Sequence, residues 1–216
     1  MLQNHESDCT GTRNHAATEA DDQQTDTPQY EVKVKMMQEV KIAGSRIGVL
    51  IGKSGATKKE LETKTHTTIT IDSKEGMVKV EGTDENTIPL LRAVEIINAI
   101  NRGFSPERAF EMIEDEDLLL EVIDLAGMAD SPRQLDRLRG RIIGKDGRAR
   151  EQIEDMTDVE ISVFGKTVAL IGYPEQLKTA RAAVDMLIEG VPHENVFAFL
   201  DRKKKESKQD MISYYY

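Results

Sequence analysis

An internal repeat is the feature that most constrains how this 216-residue chain folds. Residues 46–55 read RIGVLIGKSG and residues 138–147 read LRGRIIGKDG, so an offset of 92 positions brings Ile-Gly-Lys-x-Gly into register. The same offset aligns Ile69 with Ile161 further along the chain. Self-similarity at a fixed spacing indicates that the chain contains two copies of one folding unit.

The hydrophobic pattern around each repeat predicts the same order of elements twice. Alternating apolar and charged residues after Glu31 predict a half-buried strand, and the second copy opens with an apolar strand over 118–125. Ser131 followed by Pro132 predicts the start of a helix. Apolar residues around Val184 recur at helical spacing. Each unit therefore reads strand, helix, glycine turn, helix, strand, strand, helix.

Composition and pattern divide the chain into four segments. We predict a disordered acidic tail over 1–28, a first domain over 29–114, a second domain over 115–205 and a C-terminal tail over 206–216. The first tail has no apolar periodicity, so it cannot bury enough surface to offset the entropy of ordering. A short additional helix is predicted at the end of each domain, over 106–113 and 192–202.

The net charge of −10 argues at first against a nucleic-acid partner. The charge is unevenly spread, because residues 1–28 hold six acids and one base. Residues 107–137 add ten acids and three bases, so these two segments carry −5 and −7 and the rest of the chain carries +2. An acidic total therefore leaves room for basic surfaces.

The chain shows no sign of a membrane or an oxidising compartment. No run approaches the roughly 18 apolar residues of a membrane span. The single cysteine, Cys9, cannot form an internal disulfide. We therefore expect a soluble, cytoplasmic protein.

Two glycines occupy each predicted turn between helices, over 52–55 and 144–147. A turn that approaches a sugar-phosphate backbone has no room for a Cβ at its closest points. The N–H groups at the start of the next helix also favour an anion, and Lys53 and Lys145 add positive charge between the glycines. One isolated Gly-x-x-Gly usually only ends a helix, but two copies in one context favour a phosphate-binding turn.

This order of elements around a Gly-x-x-Gly turn resembles the type I KH domain. The resemblance implies an α+β fold of two tandem type I KH domains, each a three-stranded antiparallel sheet packed by helices. KH domains hold about four unpaired nucleotides, with the glycine turn on the backbone and an aliphatic groove against the bases. The absence of tryptophan and the 5% aromatic content agree, because an RRM would need stacking aromatics in its sheet.

Carried onto this sequence, the resemblance implies a set of RNA-binding residues in each domain. In the first domain they are Ile47, Ile51, Gly52, Lys53, Ser54, Gly55, Ile69 and Ile71. In the second they are Arg139, Arg141, Ile142, Ile143, Gly144, Lys145, Asp146, Gly147, Arg148, Arg150, Ile161 and Val163. Because basic residues are denser around the second turn, we predict that the second turn binds more strongly.

Three patterns could indicate an enzyme or a metal site, and none is complete. Gly48 to Ser54 ends like a Walker A loop, but three residues rather than four separate its glycines. The histidines and cysteine within 5–15 match no zinc spacing, and the acidic run 114–117 lacks the alternating pattern of a calcium loop. We therefore predict a protein that is not an enzyme and holds no cofactor or metal.

Longer stretches of the second domain carry a closer resemblance. They are 120–125 (LEVIDL), 140–150 (GRIIGKDGRAR), 161–172 (ISVFGKTVALIG) and 190–200 (GVPHENVFAFL). These stretches resemble the archaeal two-KH ribosome-assembly proteins, the counterparts of the eukaryotic pre-ribosomal factor known as the partner of NOB.

That resemblance implies a target and partners. The target would be single-stranded RNA at the 3′ region of small-subunit ribosomal RNA. The partners would be the endonuclease that trims this end and the alpha subunit of initiation factor two. Two alternatives stay open: a protein-interaction scaffold in ribosome assembly, and an accessory RNA-binding subunit of an RNA-decay complex.

Overall fold

The computed structural model describes residues 36–82 and 87–215, with side chains as far as residue 209. The predicted acidic tail over 1–28 and the beginning of the strand predicted after Glu31 lie outside these residues. Within the described ranges, no helix is both long and apolar enough to span a bilayer.

In the residues that the structure describes, the first domain has three strands and four helices. They are β1 (Met37–Lys41), α1 (Gly44–Ile51), α2 (Ala56–Thr65), β2 (Thr67–Asp72), β3 (Met77–Gly82), α3 (Thr87–Asn101) and α4 (Pro106–Glu114). A single 3-10 turn, Lys53–Gly55, joins α1 to α2. The sheet order is β1-β3-β2, and both pairings are antiparallel.

The second domain repeats this arrangement. Its elements are β4 (Leu119–Asp124), α5 (Pro132–Ile143), α6 (Arg148–Thr157), β5 (Glu160–Phe164), β6 (Thr167–Gly172), α7 (Pro174–Glu189) and α8 (His193–Tyr215). The sheet order β4-β6-β5 matches that of the first domain, again with antiparallel pairs. The predicted fold of two KH domains with three-stranded antiparallel sheets is confirmed. Ser131 also caps α5 as predicted, because its side chain accepts a hydrogen bond from Gln134 N.

The last helix corrects one prediction. A short helix over 192–202 and a tail from 206 were expected, but α8 continues to Tyr215. Glu206 pairs with Lys203 at 2.8 Å and with Arg202 at 3.8 Å. These ion pairs connect the last turn of the predicted helix to the turn that follows it.

The two sheets differ in how much of their surface is buried. All residues of β6 are buried, including Ala169 and Ile171, whereas Lys79 at the corresponding place in β3 is exposed. Ala169 and Ile171 belong to the same apolar cluster as Phe104 and Phe110 at the end of the first domain. A strand buried on both faces reads as a continuous apolar run. The second sheet is therefore covered by helices on one face and by the first domain on the other.

Gly103 packs against the second domain, and its replacement by alanine is expected to loosen that contact. Its φ is +107°, and an added Cβ would lie 2.6 Å from Ser162 Oγ and 2.8 Å from Phe164 Cβ. Backbone strain and overpacking each cost about 1–3 kcal/mol. We expect a melting temperature lower by at least about 4 °C in calorimetry, since the two effects together cost about 2 kcal/mol or more and about 1 kcal/mol corresponds to 2–4 °C in a chain of this size.

A matched control for this change is Gly127→Ala. Gly127 is exposed, has no atom within 4 Å of an added Cβ and has no positive φ. Its variant should melt like the wild type. If Gly103→Ala also melted like the wild type, the tight junction at Ser162 would be disproved.

Candidate nucleic-acid interface

The two glycine turns have the same backbone conformation. Gly52 has φ 73° and ψ −178°, and Gly144 has φ 74° and ψ 179°. Ser54 and Asp146 both adopt the left-handed region, with φ of 54° and 57°. The repeated sequence therefore produces one turn geometry twice, although the residues in the third position differ in charge.

The first glycine of each turn is required by the fold itself. A Cβ on Gly52 would lie 2.1 Å from Thr57 Oγ1, and a Cβ on Gly144 would lie 2.5 Å from Ala149 Cβ. Both distances are far below van der Waals contact. The sequence analysis attributed both glycines of the motif to the approach of phosphate, whereas the structure shows that the first is needed to pack the following helix.

The second glycine of each turn faces open space. A Cβ on Gly55 would meet nothing within 4 Å, and one on Gly147 would meet only Glu151 Oε1 at 3.6 Å. The φ of 81° at both positions still favours glycine. These two residues keep a bare backbone surface available to a ligand.

A third glycine lies one helical turn before each motif, at Gly48 in α1 and Gly140 in α5. Both are exposed and have no atom within 4 Å of an added Cβ. Glycine inside a helix costs about 0.5–1 kcal/mol relative to alanine, and packing gives no reason for that cost here. Four residues along a helix return to the same face, so these glycines extend the bare surface beside the turn. The 92-residue offset of the repeat pairs Gly48 with Gly140 in the sequence.

The aliphatic side chains predicted to line the grooves fall into two sets. Half-buried side chains, which retain surface for a base, are Ile51, Ile71, Ile143 and Val163. The others are core residues with at most 7% of their surface exposed, namely Ile47, Ile69, Ile142 and Ile161. The side chains of this second set point into the hydrophobic cores, and their predicted contact with bases stays a prediction.

Arg141 joins two helices rather than facing a ligand. Its Nε donates to the carbonyl of Leu187 at 2.9 Å, and its Nη2 donates to the carbonyl of Val191 at 2.7 Å. Arg46 does the same in the first domain, where its Nε donates to the carbonyl of Ile100 at 2.7 Å. Arg141 therefore has a structural role at the end of α7, and its predicted RNA-binding role stays a prediction.

Two further arginines near the second turn are paired with acids. Arg139 lies 3.3 Å from Asp136, and Arg150 lies 3.5 Å from Glu154. Within the described part of the chain, the exposed cations at the turns that make no ion pair are Lys53, Lys59, Lys145 and Arg148. Each turn thus keeps one lysine between its glycines and one cation on the following helix. The second turn has more basic residues in the sequence than the first, but the two turns have the same number of exposed cations without an ion pair.

A half-buried glutamate positions the second helix of each domain against its edge strand. Glu62 Oε1 accepts a hydrogen bond from Ile69 N at 2.8 Å, and Glu154 Oε1 accepts one from Ile161 N at 2.8 Å. Burial raises the pKa of the Glu154 carboxyl, against the opposing effects of the Ile161 hydrogen bond and of Arg150. The sequence analysis missed this pair, although the repeat offset connects the two glutamates.

The comparisons with known proteins agree with this geometry. Residues 119–205 match the family model described as "Eukaryotic type KH-domain (KH-domain type I)", and residues 37–99 match the model described as "KH domain". The KH domain-containing protein MJ0443 of Methanocaldococcus jannaschii is 41% identical over 177 residues, which are 81% of this chain and 77% of that protein.

Two further proteins are similar to this chain. The crystal structure of an a/eIF2alpha-aDim2p-rRNA complex from Pyrococcus horikoshii OT3 contains a chain with 46% identity and a TM-score of 0.76. The match covers 82% of this chain and 98% of that one. The RNA-binding protein pno-1 of Caenorhabditis elegans is 34% identical over 118 residues, which are 54% of this chain and 43% of that protein. The chain belongs to the family of two-KH RNA-binding proteins of ribosome biogenesis that includes archaeal Dim2p and eukaryotic PNO1.

Proposed function

We propose that this chain binds unpaired RNA at the 3′ region of small-subunit ribosomal RNA, and that both glycine turns hold the strand. The observation that carries the proposal is the pair of turns with one backbone geometry, each with a bare second glycine and an unpaired exposed lysine. The rRNA present in the complex of the Pyrococcus relative supports ribosomal RNA as the ligand.

The proposal includes protein partners and a place of action. The a/eIF2alpha in the same complex supports the alpha subunit of initiation factor two as a partner. The rRNA-trimming endonuclease and the cytoplasmic location rest on the family resemblance and stay predictions. In this proposal the chain performs no catalytic step, and it holds RNA in place for the enzymes that mature it.

The strength of binding is expected to fall steeply with salt. For single strands, log K falls against log salt with a slope of about −0.7 for each phosphate that the protein neutralises. If Lys53, Lys59, Lys145 and Arg148 each contact a phosphate, the slope is about −3. This slope is measured by fluorescence anisotropy, in which a labelled unpaired oligonucleotide is titrated with the protein at several salt concentrations.

A double variant gives this measurement its control. Lys59→Gln with Arg148→Gln removes one cation from each domain and leaves both turns intact. The slope should become shallower by about 1.4, at 0.7 for each lost contact. An affinity that hardly changes with salt would exclude phosphate contacts and favour the protein-interaction scaffold.

A further inference from the structure

A cavity of about 230 Å³ lies at the junction of the two domains. The first domain lines it with residues 103–105 and Arg108, and the second domain lines it with Arg150, Ile161 and Ser162. A water molecule occupies about 30 Å³ in the liquid, so the cavity has room for a group much larger than one water. Because both domains form its walls, the cavity exists only while they are docked.

Two guanidinium groups, those of Arg108 and Arg150, line this cavity. Arg108 Nη1 pairs with Glu160 and lies 3.9 Å from Glu154, while Arg150 pairs with Glu154 through Nε and with Glu151 through Nη2. A guanidinium has five N–H donors, so these pairs leave donors on each arginine without a partner in the described part of the chain.

The carboxylates that pair with these arginines belong to a different cleft. Glu154 and Glu160 line a larger cavity of about 610 Å³ together with Glu111, Glu114, Asp115, Asp155 and Asp158. That cleft would repel a polyanion. The smaller cavity has no carboxylate among its lining residues. The guanidinium donors left over from these ion pairs are therefore the groups that would contact an anion in the smaller cavity.

The smaller cavity adjoins the predicted groove of the second domain. Strand β5 is an edge strand, and its residues Ile161 and Ser162 line the cavity, while Val163 is one of the half-buried groove residues. An RNA strand that follows β5 out of the groove would reach the two guanidiniums next. Arginine forks match the paired oxygens of a phosphate group.

We infer that this interdomain cavity binds a backbone phosphate of the RNA strand beyond the nucleotides held by the second KH groove. The inference rests on the proposed function and deepens it. It gives the rigid docking of the domains a purpose, because neither domain alone carries both arginines. The docked pair of domains contacts a longer stretch of RNA than two independent KH domains joined by a linker would.

The test compares RNA length in two variants that break the same ion pair. Arg108→Gln removes the guanidinium, and Glu160→Gln removes only its partner. The probes are an unpaired tetranucleotide, which one KH groove accommodates, and an unpaired oligonucleotide of about eight nucleotides. Thermal melting of both variants reports on their folds.

We expect Arg108→Gln to weaken binding of the longer RNA about tenfold, the equivalent of about 1.4 kcal/mol, and to leave the tetranucleotide unaffected. Glu160→Gln should bind the longer RNA at least as tightly as the wild type. Equal losses in both variants would show that the ion pair is only structural and would overturn the inference. So would equal affinities of Arg108→Gln and the wild type for the longer RNA.

A second probe separates this inference from the proposed function. Inorganic phosphate, titrated while the amide resonance of Ser162 is followed by NMR, should shift that resonance in the wild type and not in Arg108→Gln. The absence of a shift in the wild type would overturn the anion site. A failure of the wild type to bind either RNA would instead contradict the proposed function, whatever the result with phosphate.

Discussion

Gly144→Ala is expected to lower the melting temperature by roughly 6–12 °C, because about 3 kcal/mol of stability is lost and each kcal/mol corresponds to 2–4 °C. The φ of 74° and ψ of 179° at Gly144 lie in a region that is essentially restricted to glycine. An added Cβ would also lie 2.5 Å from Ala149 Cβ and 2.8 Å from Ala149 N. The second atom is backbone, so the first turn of α6 would have to move. Differential scanning calorimetry measures the loss.

Gly140→Ala is the matched control for this change. Gly140 lies four residues earlier on α5, is exposed and has no atom within 4 Å of an added Cβ. Alanine there should stabilise the protein by up to about 1 kcal/mol, since it is a better helix former. The same methyl group should weaken RNA binding, because it stands on the bare surface beside the turn. If Gly144→Ala melted like the wild type, the packing role of the first glycine would be wrong.

Charge reversal in either turn is expected to weaken RNA binding by about 10- to 100-fold, since a hydrogen bond to a charged group contributes about 1.5–3 kcal/mol. Lys53→Asp with Ser54→Asp converts the first turn to Gly-Asp-Asp-Gly, and Lys145→Asp alone does the same in the second. Asp146 already adopts the left-handed conformation, which aspartate tolerates better than most residues. The folds should therefore survive, and thermal melting checks this.

The two charge-reversed variants should lose affinity by similar factors. Each turn keeps one lysine between its glycines and one unpaired cation on the following helix, Lys59 or Arg148. Of the three arginines that favoured the second turn in the sequence, Arg139 pairs with Asp136, Arg141 contacts the end of α7, and Arg150 pairs with Glu154 beside the interdomain cavity rather than at the turn. A loss at the second turn more than tenfold larger than at the first would restore the dominance that the sequence predicts.

The sequence predicts the fold well because the fold depends on patterns that repeat. The 92-residue offset aligns the two glycine turns and the helices that follow them, and the structure places these in equivalent elements. The cap at Ser131 also predicts the start of α5, although α1 begins at Gly44 without a side-chain cap. The docking of the two domains had a sequence signal that was not used. Residues 168–171 are all apolar, whereas Lys79 and Glu81 interrupt the equivalent strand of the first domain.

The individual site residues were harder to predict, because side-chain direction depends on tertiary packing. Ile142 and Ile143 are neighbours in the sequence, yet Ile142 is fully buried and Ile143 retains exposed surface. Arg141 and Arg148 have the same charge, but Arg141 meets the carbonyl groups at the end of α7, which lie 46 and 50 residues away. Neither the burial of Ile142 nor the carbonyl contacts of Arg141 can be recognised from the neighbouring residues in the sequence.

The most direct test of the central claim, that two equivalent glycine turns hold unpaired RNA, is one anisotropy experiment. An unpaired oligonucleotide of about eight nucleotides from the small-subunit rRNA 3′ region, twice the length that one KH domain holds, is compared with the same strand annealed to its complement. The wild type should bind the unpaired strand at least tenfold more tightly than the duplex, and a variant with Gly-Asp-Asp-Gly in both turns should lose that binding. Equal affinity for the two RNAs, or undiminished binding by the variant, would contradict the claim.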